Sequence, residues 1–249
     1  MKPAPRVLVV AGLDPSGGAG LLADVEALSA VGAAAWTVAT ALTAQGQGGP
    51  RGVEATSAAF LLAQLDAVLS GRARARAVKT GMLADAALVA ALALRLGEPP
   101  LARLPVVVDP VLRASSGATL LETPGTTPSL ALAPLLARAR LVTPNLPELA
   151  LLTGADVSTD DAAVRAARLL PARAVLVKGG HRRGAPVDLL VEGRRVTRFA
   201  GRRRRGTARG TGCRLASAVA GLLAQRVPLE EAVRRAKTLV ERYLDARRS

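Results

Sequence analysis

The sequence predicts an α/β protein with three layers, α/β/α, around a mostly parallel central sheet. Apolar runs of about five residues alternate with helical patterns of about 10–18 residues, which is the rhythm of strands joined by crossover helices. Glycine or polar residues follow most of these runs, as they do at the ends of buried strands. A chain of 249 residues, 50% of them hydrophobic, is also long enough to bury a sizeable core.

The strand candidates are short apolar runs, most of them rich in valine. They are RVLVVAG (6–12), AAAWTVAT (33–40), ARAVKTG (75–81), LPVVVDP (104–110), ARLVTPN (139–145) and ARAVLVKGG (172–180). The helical patterns between and after them fall near 18–31, 56–70, 85–96, 129–138, 146–153 and 160–170.

The last third of the chain predicts a hairpin and two long helices. The stretch 187–200 has Glu192-Gly193 at its centre, which indicates a β-hairpin. Helices are predicted near 211–225 and 229–247, and Pro228 followed by Leu-Glu-Glu favours the start of the second. The chain has no internal repeat and no linker, so we expect residues 1–249 to form a single domain.

The net charge of +15 raises the question of nucleic acid, but the composition argues against it. Only four of the 34 basic residues are lysines, and the arginines are spread through Ala/Leu/Arg-rich helices rather than gathered in one groove. Aromatic residues make up 2% of the chain, which leaves no platform on which bases could stack. We therefore expect no nucleic-acid partner.

The sequence also predicts no membrane segment. No run of 18 apolar residues lacks a charged or turn residue. The first apolar run ends in AGLDPSGG rather than in a small-residue cleavage site, which indicates a buried strand and not a signal peptide. A single cysteine forms no intramolecular disulfide, and this favours the reducing cytoplasm.

In a mostly parallel sheet, ligands bind at the carboxyl ends of the strands. Several predicted strands end in polar or glycine-rich stretches there, and we expect the site to be built from them together with GTGC (210–213). These stretches are AGLDPSGGAG, KTGM, DPV, TPNLPE and KGGH.

Two familiar nucleotide motifs are excluded. Gly18, Gly20 and Ala23 match G-x-G-x-x-A after a strand, but the dinucleotide fingerprint needs an acidic residue about 20 positions on. No Asp or Glu occurs between Glu26 and Glu54, so that interpretation fails. The P-loop pattern G-x-x-x-x-G-K-[ST] is absent as well.

The stretch Gly210-Thr211-Gly212-Cys213 leads directly into an amphipathic helix. Its glycines allow successive backbone N–H groups to converge, and the helix N-terminus adds partial positive charge. Such a nest binds phosphate or the charge that develops during phosphoryl transfer. A glycine-rich helix cap with no ligand is the alternative interpretation of this motif taken alone.

Taken together, these motifs resemble the hydroxymethylpyrimidine/phosphomethylpyrimidine kinases of thiamine biosynthesis, within the ribokinase-like superfamily. The resemblance runs in the family's order along essentially the whole chain. The matching stretches are AGLDPSGGAGLLADVEALSAVGA (11–33), ATALTAQ (39–45), AVKTGML (77–83), VVVDPVL (106–112), SSGATLL (115–121), LVTPNLPE (141–148), VLVKGGH (175–181) and GTGC (210–213).

The resemblance implies a substrate site. Asp24 and Gln45 would hold the substrate, and an amide such as that of Gln45 both donates to and accepts from an aminopyrimidine edge. Met82 and Val111 would wall the pyrimidine, and Gly12 would leave room for its ring. Without the resemblance, Met82 and Val111 are ordinary core residues, Asp24 is a charge on a helix surface, and Gly12 is a glycine at a strand end.

The resemblance also implies a site for ATP and Mg²⁺. Asp109 and Glu148 would lie near the metal, in part through water, because Mg²⁺ takes few protein ligands. Asn145 opens the N-x-x-E motif that contains Glu148. Lys178 resembles the lysine that reaches the ATP phosphates. His181, the only histidine, is more consistent with a structural or rim position.

For the GTGC motif, the resemblance implies that Cys213 is the base that accepts the proton of the substrate hydroxyl. The backbone amides of Gly210, Thr211, Gly212 and Cys213 would stabilise the transferring phosphoryl group. A free thiol is a poor base at neutral pH, but we expect the helix N-terminus and nearby cations to lower its pKa. A modest base suffices because phosphoryl transfer depends mainly on positioning and charge neutralisation.

The chain departs from the family pattern at three places. Arg209 and Arg214 stand where HGTGCT is usual, and Arg214 could point into the anion hole and favour the monophosphate substrate. The cluster Arg202–Arg205 lies just upstream, where it could contact ATP or substrate or could be a solvated loop. GQGGP (46–50) replaces a usual Asn-Thr beside the substrate.

The resemblance implies an ATP-dependent kinase for 4-amino-5-hydroxymethyl-2-methylpyrimidine, its monophosphate, or both. A pyridoxal kinase of the same superfamily is the alternative, and Gln45 and Met82 favour the pyrimidine. A weak ligand sensor and a basic nucleic-acid-associated protein are disfavoured because Asp24, Lys178, Glu148 and Cys213 are all retained. The superfamily often dimerises, so we expect a homodimer.

Overall fold

The computed structural model describes residues 3–46, 49–114, 117–180, 185–201 and 209–246. Its strands are β1 (Arg6–Leu13), β2 (Ala34–Gly46), β3 (Gly49–Ala55), β4 (Ala75–Thr80), β5 (Ala84–Asp85), β6 (Val106–Val108), β7 (Leu121–Glu122), β8 (Leu141–Val142), β9 (Val175–Val177), β10 (Val187–Glu192) and β11 (Arg195–Ala200). Its helices are α1 (Gly20–Ala30), α2 (Ala58–Leu69), α3 (Ala86–Arg95), α4 (Pro128–Arg138), α5 (Leu146–Thr153), α6 (Asp160–Ala167), α7 (Thr211–Ala224) and α8 (Leu229–Ala246).

Nine of the strands form one sheet in the order β11-β10-β9-β8-β6-β4-β1-β2-β3. The six central strands, from β9 to β2, pair in parallel. The antiparallel strands lie at the two edges, β10 and β11 on one side and β3 on the other. The carboxyl ends of the central strands therefore meet along one edge of the sheet, as the sequence predicts.

The core divides into two layers, one on each face of the sheet. Alternate residues of β1 enter different layers, Leu8 and Val10 on one side and Val7 and Val9 on the other. The first layer packs under α2 to α6, and the second under α1, α7 and α8. The predicted α/β class, with helices on both faces of a mostly parallel sheet, is confirmed. Among the described helices, none combines the length and the apolar character needed to cross a bilayer.

The predicted helices agree with the structure to within three residues at each end, and the hairpin turns at Gly193 as expected. The prediction was wrong to end the second strand at residue 40, because β2 continues to Gly46 and pairs with β3. The GPRGVEA sequence of β3 has too little apolar character to reveal an edge strand. The short sheet of β5 and β7 was also missed, since each strand has two residues.

The helix starts fall into two groups. In α2 to α6, the residue before the helix accepts a hydrogen bond from the backbone N–H three positions on, which caps that end. In α1 and α7, the preceding residues Ala19 and Gly210 supply no side-chain cap. The starts of α1 and α7 both lie at the carboxyl edge of the sheet, where a ligand could accept hydrogen bonds from their N–H groups.

A buried ion pair joins α1, β4 and α7. Lys79 Nζ on β4 donates to both carboxylate oxygens of Asp24 on α1, at 2.8 and 2.7 Å, and Ser217 on α7 donates to Asp24 Oδ1 at 2.8 Å. Both charged side chains have 0% exposure. Burial alone would lower the pKa of Lys79, but the negative charges of Asp24 and Asp109 raise it above its usual value. Burial also raises the pKa of Asp24, against the effects of Lys79 and Ser217, so the buried carboxylate depends on its cation and the loss of either partner is costly.

We expect Lys79→Met to lower the free energy of unfolding by about 3–5 kcal/mol, because it leaves the Asp24 carboxylate buried without its cation. The double variant Asp24→Leu/Lys79→Met, which removes both charges, should lose clearly less than this. Urea denaturation followed by circular dichroism measures both. A loss below about 1 kcal/mol for Lys79→Met would show that the pair contributes little.

Candidate active site

The structure brings four of the predicted stretches into contact at the carboxyl edge of the sheet. Lys178, directly after β9, has its Nζ 2.8 Å from Asp109 Oδ1, directly after β6. Glu148 Oε2, in the first turn of α5, lies 3.8 Å from the same nitrogen. A Cβ placed on Gly212 would stand 2.9 Å from Lys178 Nζ and 3.8 Å from Asp109 Oδ2. The side chains implied for phosphate and metal binding thus surround the start of α7.

The charges of this cluster are interdependent. Burial tends to raise the pKa of Asp109, but the cations Lys178 and Lys79 hold it below the usual range, so this carboxylate is ionised. Burial raises the pKa of Glu148 to about 6, although Lys178 lowers it. Burial would lower the pKa of Lys178, yet the two carboxylates raise it well above its usual value. One ammonium group therefore holds two carboxylates at the edge of the sheet.

Asn145 acts on this cluster through Glu148. Its side chain accepts a hydrogen bond from the Glu148 N–H at 2.8 Å, and the Glu148 carboxylate accepts one from the Asn145 N–H at 2.8 Å. This reciprocal capping box fixes the Glu148 side chain at the start of α5. The nucleotide contact predicted for Asn145 stays a prediction, and the observed geometry gives it a positioning part.

The GTGC stretch forms a tight entry to α7. Gly210 has φ +69°, the left-handed region that favours glycine. A Cβ there would lie 2.2 Å from the carbonyl oxygen of Gly18, so the two loops touch through their backbones. No side chain caps the first N–H groups of α7, and this end of the helix lies beside Lys178. This is an anion-binding arrangement in its geometry and in its charge.

The expectation that the helix N-terminus and cations lower the pKa of Cys213 is wrong. Burial raises the pKa of this thiol to about 11, and Lys79 offsets only part of the effect. The nearby carboxylates of Asp109 and Asp24 raise it further. At neutral pH the group is therefore a protonated thiol.

On the substrate side, Gly12 and Met82 are in contact. A Cβ on Gly12 would stand 3.0 Å from Met82 Sδ, so only glycine fits at the end of β1 without displacing the methionine. The Met82 backbone is fixed by a 2.6 Å hydrogen bond from Thr40 Oγ1 to its carbonyl oxygen. Val111 lies beside Asp109 and lines a small recess, and Gln45 is partly exposed near the end of β2. Gly12 and Met82 thus meet, and Val111 shares its recess with the neighbours of Met82, Gly81 and Leu83, while the contact of Gln45 with the ring stays a prediction.

Asp24 differs from both of its sequence interpretations. It is not a charge on a helix surface, because its exposure is 0%. Lys79 and Ser217 occupy its oxygens, so the direct substrate contact that the resemblance implies has no open path in this structure. What Asp24 does here is hold Lys79 beneath the site.

A cleft of about 170 Å³ opens next to the cluster, between the start of α7, the hairpin and α8. Its polar end contains Lys178, Thr211 and Gly212, and its wall is largely apolar, with Pro186, Leu215, Val240 and Leu244. Sequence reasoning missed the α8 residues of this wall, Lys237, Val240, Glu241 and Leu244. The four-residue spacing of Val240 and Leu244 was visible, but in an Ala/Leu/Arg-rich helix it is indistinguishable from core packing.

Asp188 and Lys237 form an ion pair in the cleft wall. Asp188 Oδ1 also accepts the Gly179 N–H at 2.8 Å, directly after Lys178. The pair therefore links α8 to the loop that carries Lys178. Neither residue was singled out from the sequence.

The two arginines that depart from the family pattern point away from the anion hole. Arg209 Nη2 pairs with Asp14 Oδ2 at 3.0 Å, and its Nη1 donates to the Gly46 carbonyl oxygen at 3.3 Å. Arg214 has 1% exposure and pairs with Glu26 at 2.6 Å. The idea that Arg214 binds or occludes phosphate in the anion hole is therefore wrong. His181 and Arg202–Arg205 lie outside the described residues.

Known proteins are similar to this chain along nearly its full length. A thiamine biosynthesis bifunctional protein of Geobacter sulfurreducens is 44% identical over 251 residues, which cover 98% of this chain and 49% of that protein. A hydroxymethylpyrimidine/phosphomethylpyrimidine kinase of Rhizobium meliloti is 42% identical over 248 residues, covering 96% of this chain and 90% of the relative.

Solved structures agree. The phosphomethylpyrimidine kinase of Clostridium difficile 630 matches with a TM-score of 0.81 and 32% identity, covering 96% of this chain and 99% of that one. The pyridoxal kinase of Staphylococcus aureus in complex with AMP-PCP and pyridoxal matches with a TM-score of 0.82 and 27% identity, covering 96% and 87%. These matches confirm the predicted ribokinase-like fold.

The family profile described as phosphomethylpyrimidine kinase matches residues 14–248, almost the whole sequence. This match agrees with the relatives above 40% identity and with the phosphate-binding geometry at the start of α7. The chain belongs to the phosphomethylpyrimidine kinase family.

Proposed function

We propose that this protein transfers a phosphoryl group from ATP to 4-amino-5-hydroxymethyl-2-methylpyrimidine, to its monophosphate, or to both. One observation carries the proposal: Lys178, Asp109, Glu148 and the uncapped start of α7 converge at the mouth of a partly apolar cleft. Curated relatives named for this kinase activity support the choice of substrate.

ATP would lie in the cleft between α7, α8 and the hairpin. The apolar side chains Leu215, Val240 and Leu244 suit a purine base, and Lys178 at the other end suits phosphate oxygens. The amides of residues 210–213 would then face the γ-phosphoryl group. Pyridoxal kinases of similar fold have been solved in complex with ADP and with AMP-PCP, which supports an adenine nucleotide as a ligand of this fold.

The residues present fit a Mg²⁺ ion. Asp109 and Glu148 are two carboxylates around one ammonium group, and Asp109 Oδ1 takes the hydrogen bonds of Lys178 and Thr143. Among the described residues, no cluster of three or more acidic, cysteine or histidine side chains would form a metal cage of protein alone. Such a sparse donor set suits Mg²⁺, which keeps waters and substrate phosphates as ligands and neutralises their charge.

The substrate would lie on the other side of the anion nest, with its ring against Gly12 and Met82 and its amino-pyrimidine edge at Gln45. Its hydroxymethyl oxygen, or the phosphate oxygen of the monophosphate, would point toward Cys213. Because the thiol is protonated, proton removal contributes little at the start of the reaction. The rate would depend on alignment and charge neutralisation, as expected for a loose phosphoryl-transfer transition state.

Pyridoxal phosphorylation is the second candidate, because solved pyridoxal kinases match with TM-scores of 0.82–0.83. Their identities of 26–28% are below the 42% of the pyrimidine kinase from Rhizobium meliloti, and this favours the pyrimidine. The single domain, the homodimer, the cytoplasmic location and the lack of a nucleic-acid partner stay predictions.

An assay of ATP consumption with three acceptors tests the proposal: the pyrimidine alcohol, its monophosphate and pyridoxal. We expect turnover with at least one pyrimidine and a kcat/KM for pyridoxal at least about tenfold lower, since a site that hydrogen-bonds an aminopyrimidine leaves those groups unpaired when pyridoxal binds. Turnover with pyridoxal alone would identify pyridoxal as the substrate and contradict the pyrimidine assignment. Turnover with no acceptor would contradict the proposed function.

We expect Lys178→Ala to lower kcat by about 10²–10³-fold, because it removes the ammonium group that lies between the carboxylates and the start of α7. Arg173→Ala, an exposed arginine ahead of β9, is the matched control and should keep wild-type rates. Steady-state kinetics at saturating ATP measure the effect. A kcat of Lys178→Ala within about threefold of wild type would rule out the phosphate-binding role.

The thiol of Cys213 should stay protonated well above neutral pH. Thiolate absorbance at 240 nm, taken as the difference between wild type and Cys213→Ser, should rise only as pH approaches about 11. The single cysteine makes the difference spectrum specific to this residue. Ionisation near pH 7 would mean that the helix N-terminus and Lys79 outweigh burial.

A further inference from the structure

Arg214 is a buried arginine directly after the proposed phosphate-binding residue Cys213. Its side chain has 1% exposure, and its own N–H closes the first turn of α7 on the Gly210 carbonyl oxygen at 3.0 Å. A charged side chain is rarely this buried unless its partners hold it. The partners of Arg214 therefore indicate what it does.

The guanidinium group contacts four residues from three parts of the chain: the loop between β1 and α1 together with α1 itself, the residue before the GTGC stretch, and α8. Nη1 donates to the carbonyl oxygen of Gly18 at 3.0 Å and lies 3.4 Å from that of Arg209. Nη2 pairs with Glu26 Oε2 of α1 at 2.6 Å. The face of the guanidinium stacks on the ring of Tyr243 in α8, 3.9 Å from its centroid.

Each of these parts borders the active site. Gly18 closes the loop between β1 and α1, and Arg209 immediately precedes the anion nest. A Cβ on Gly210 would lie 2.2 Å from the Gly18 carbonyl oxygen and 2.8 Å from Arg214 Nη1, so the arginine sits at the contact between the two loops. Tyr243 lies on α8 between Val240 and Leu244, which line the nucleotide cleft.

The contacts of Arg214 with the Gly18 loop, Arg209, α1 and α8, called here the Arg214 joint, require the shape of an arginine side chain. Its planar fork donates to two carbonyl oxygens and a carboxylate at once, while its face stacks on an aromatic ring. The threonine that the family resemblance places here is too short to span these contacts, and lysine lacks both the fork and the face. The joint is thus a feature of this chain's own residues.

We propose that Arg214 is a positioning residue for phosphoryl transfer: it holds the Gly18 loop and α8 against Gly210, so that the amides of residues 210–213 aim at the transferring phosphoryl group. Arg214 touches neither ATP nor acceptor and acts through the backbone of the nest. The inference rests on the proposed function. Its signature is a loss of kcat with little change in substrate affinity, because a misaimed nest fails chiefly in the transition state.

The test compares Arg214→Met and Arg214→Lys with the control Arg235→Met, an exposed arginine of α8 that pairs with Glu231. We expect Arg214→Met to lower kcat at least about tenfold while KM for ATP and for the pyrimidine changes less than about threefold. Arg214→Lys should fall between Arg214→Met and wild type. The concentration of ADP-binding sites is measured by calorimetry, and kcat is calculated per site. Unfolded protein binds no ADP and is therefore not counted.

Binding of ADP with aluminium fluoride, a mimic of the transferring phosphoryl group, separates this inference from the proposed function. Aluminium fluoride should increase the affinity of wild type for ADP. In Arg214→Met this increase should be at least about tenfold smaller, while the affinity for ADP alone is unchanged, and this holds even if wild type phosphorylates no acceptor. A lower melting temperature with unchanged kcat per site and unchanged fluoroaluminate affinity would overturn the inference. So would an equal loss of ADP affinity, which would assign Arg214 to the nucleotide cleft instead.

If Arg214→Met does not fold, Glu26→Gln and Tyr243→Leu replace it, because each removes one partner and leaves the arginine in place. The Glu26 side chain is 59% exposed, so its substitution is compatible with folding. Both variants should lower kcat by at least about threefold without raising either KM. Wild-type kcat in both would overturn the inference.

Discussion

The ion pair between Lys79 and Asp24 is the constraint on which the rest of the site depends. It is buried beneath the ligand edge and ties β4, α1 and α7 together through two side chains and a serine hydroxyl. The anion nest is the start of α7, so its position depends on the hydrogen bond by which Ser217 of α7 is attached to this pair. The charge of Lys79 also lowers the pKa values of Asp109 and Cys213, so the same ion pair contributes to the electrostatics of the proposed site.

The described lysines and several of the arginines form ion pairs in different parts of this protein. The described lysines Lys79, Lys178 and Lys237 each pair with a carboxylate at the sheet edge or in the cleft wall. Several arginines instead make exposed ion pairs, as Arg234 and Arg235 do on α8. Part of the large positive net charge therefore lies on exposed arginines away from the proposed site.

Periodicity and turn residues were enough to predict the helices, the hairpin and the edge at which the site lies. The contact of Lys178 with Asp109 and Glu148 could be anticipated because parallel strands end together. Other features depend on packing between distant segments. The burial of Asp24, the direction of Arg214 and the α8 wall of the cleft arise from how α1, α7 and α8 meet, and no local pattern encodes that. The high pKa of Cys213 is likewise a result of desolvation, which depends on the assembled surroundings.

The protonated state of Cys213 has a consequence for chemical durability. Oxidants and electrophiles attack the thiolate, not the thiol, so a pKa near 11 leaves very little reactive sulfur at neutral pH. A cysteine placed at a phosphate-binding nest would normally be a point of damage by peroxide. The half-buried thiol of Cys213, with its raised pKa, should therefore react slowly with peroxide.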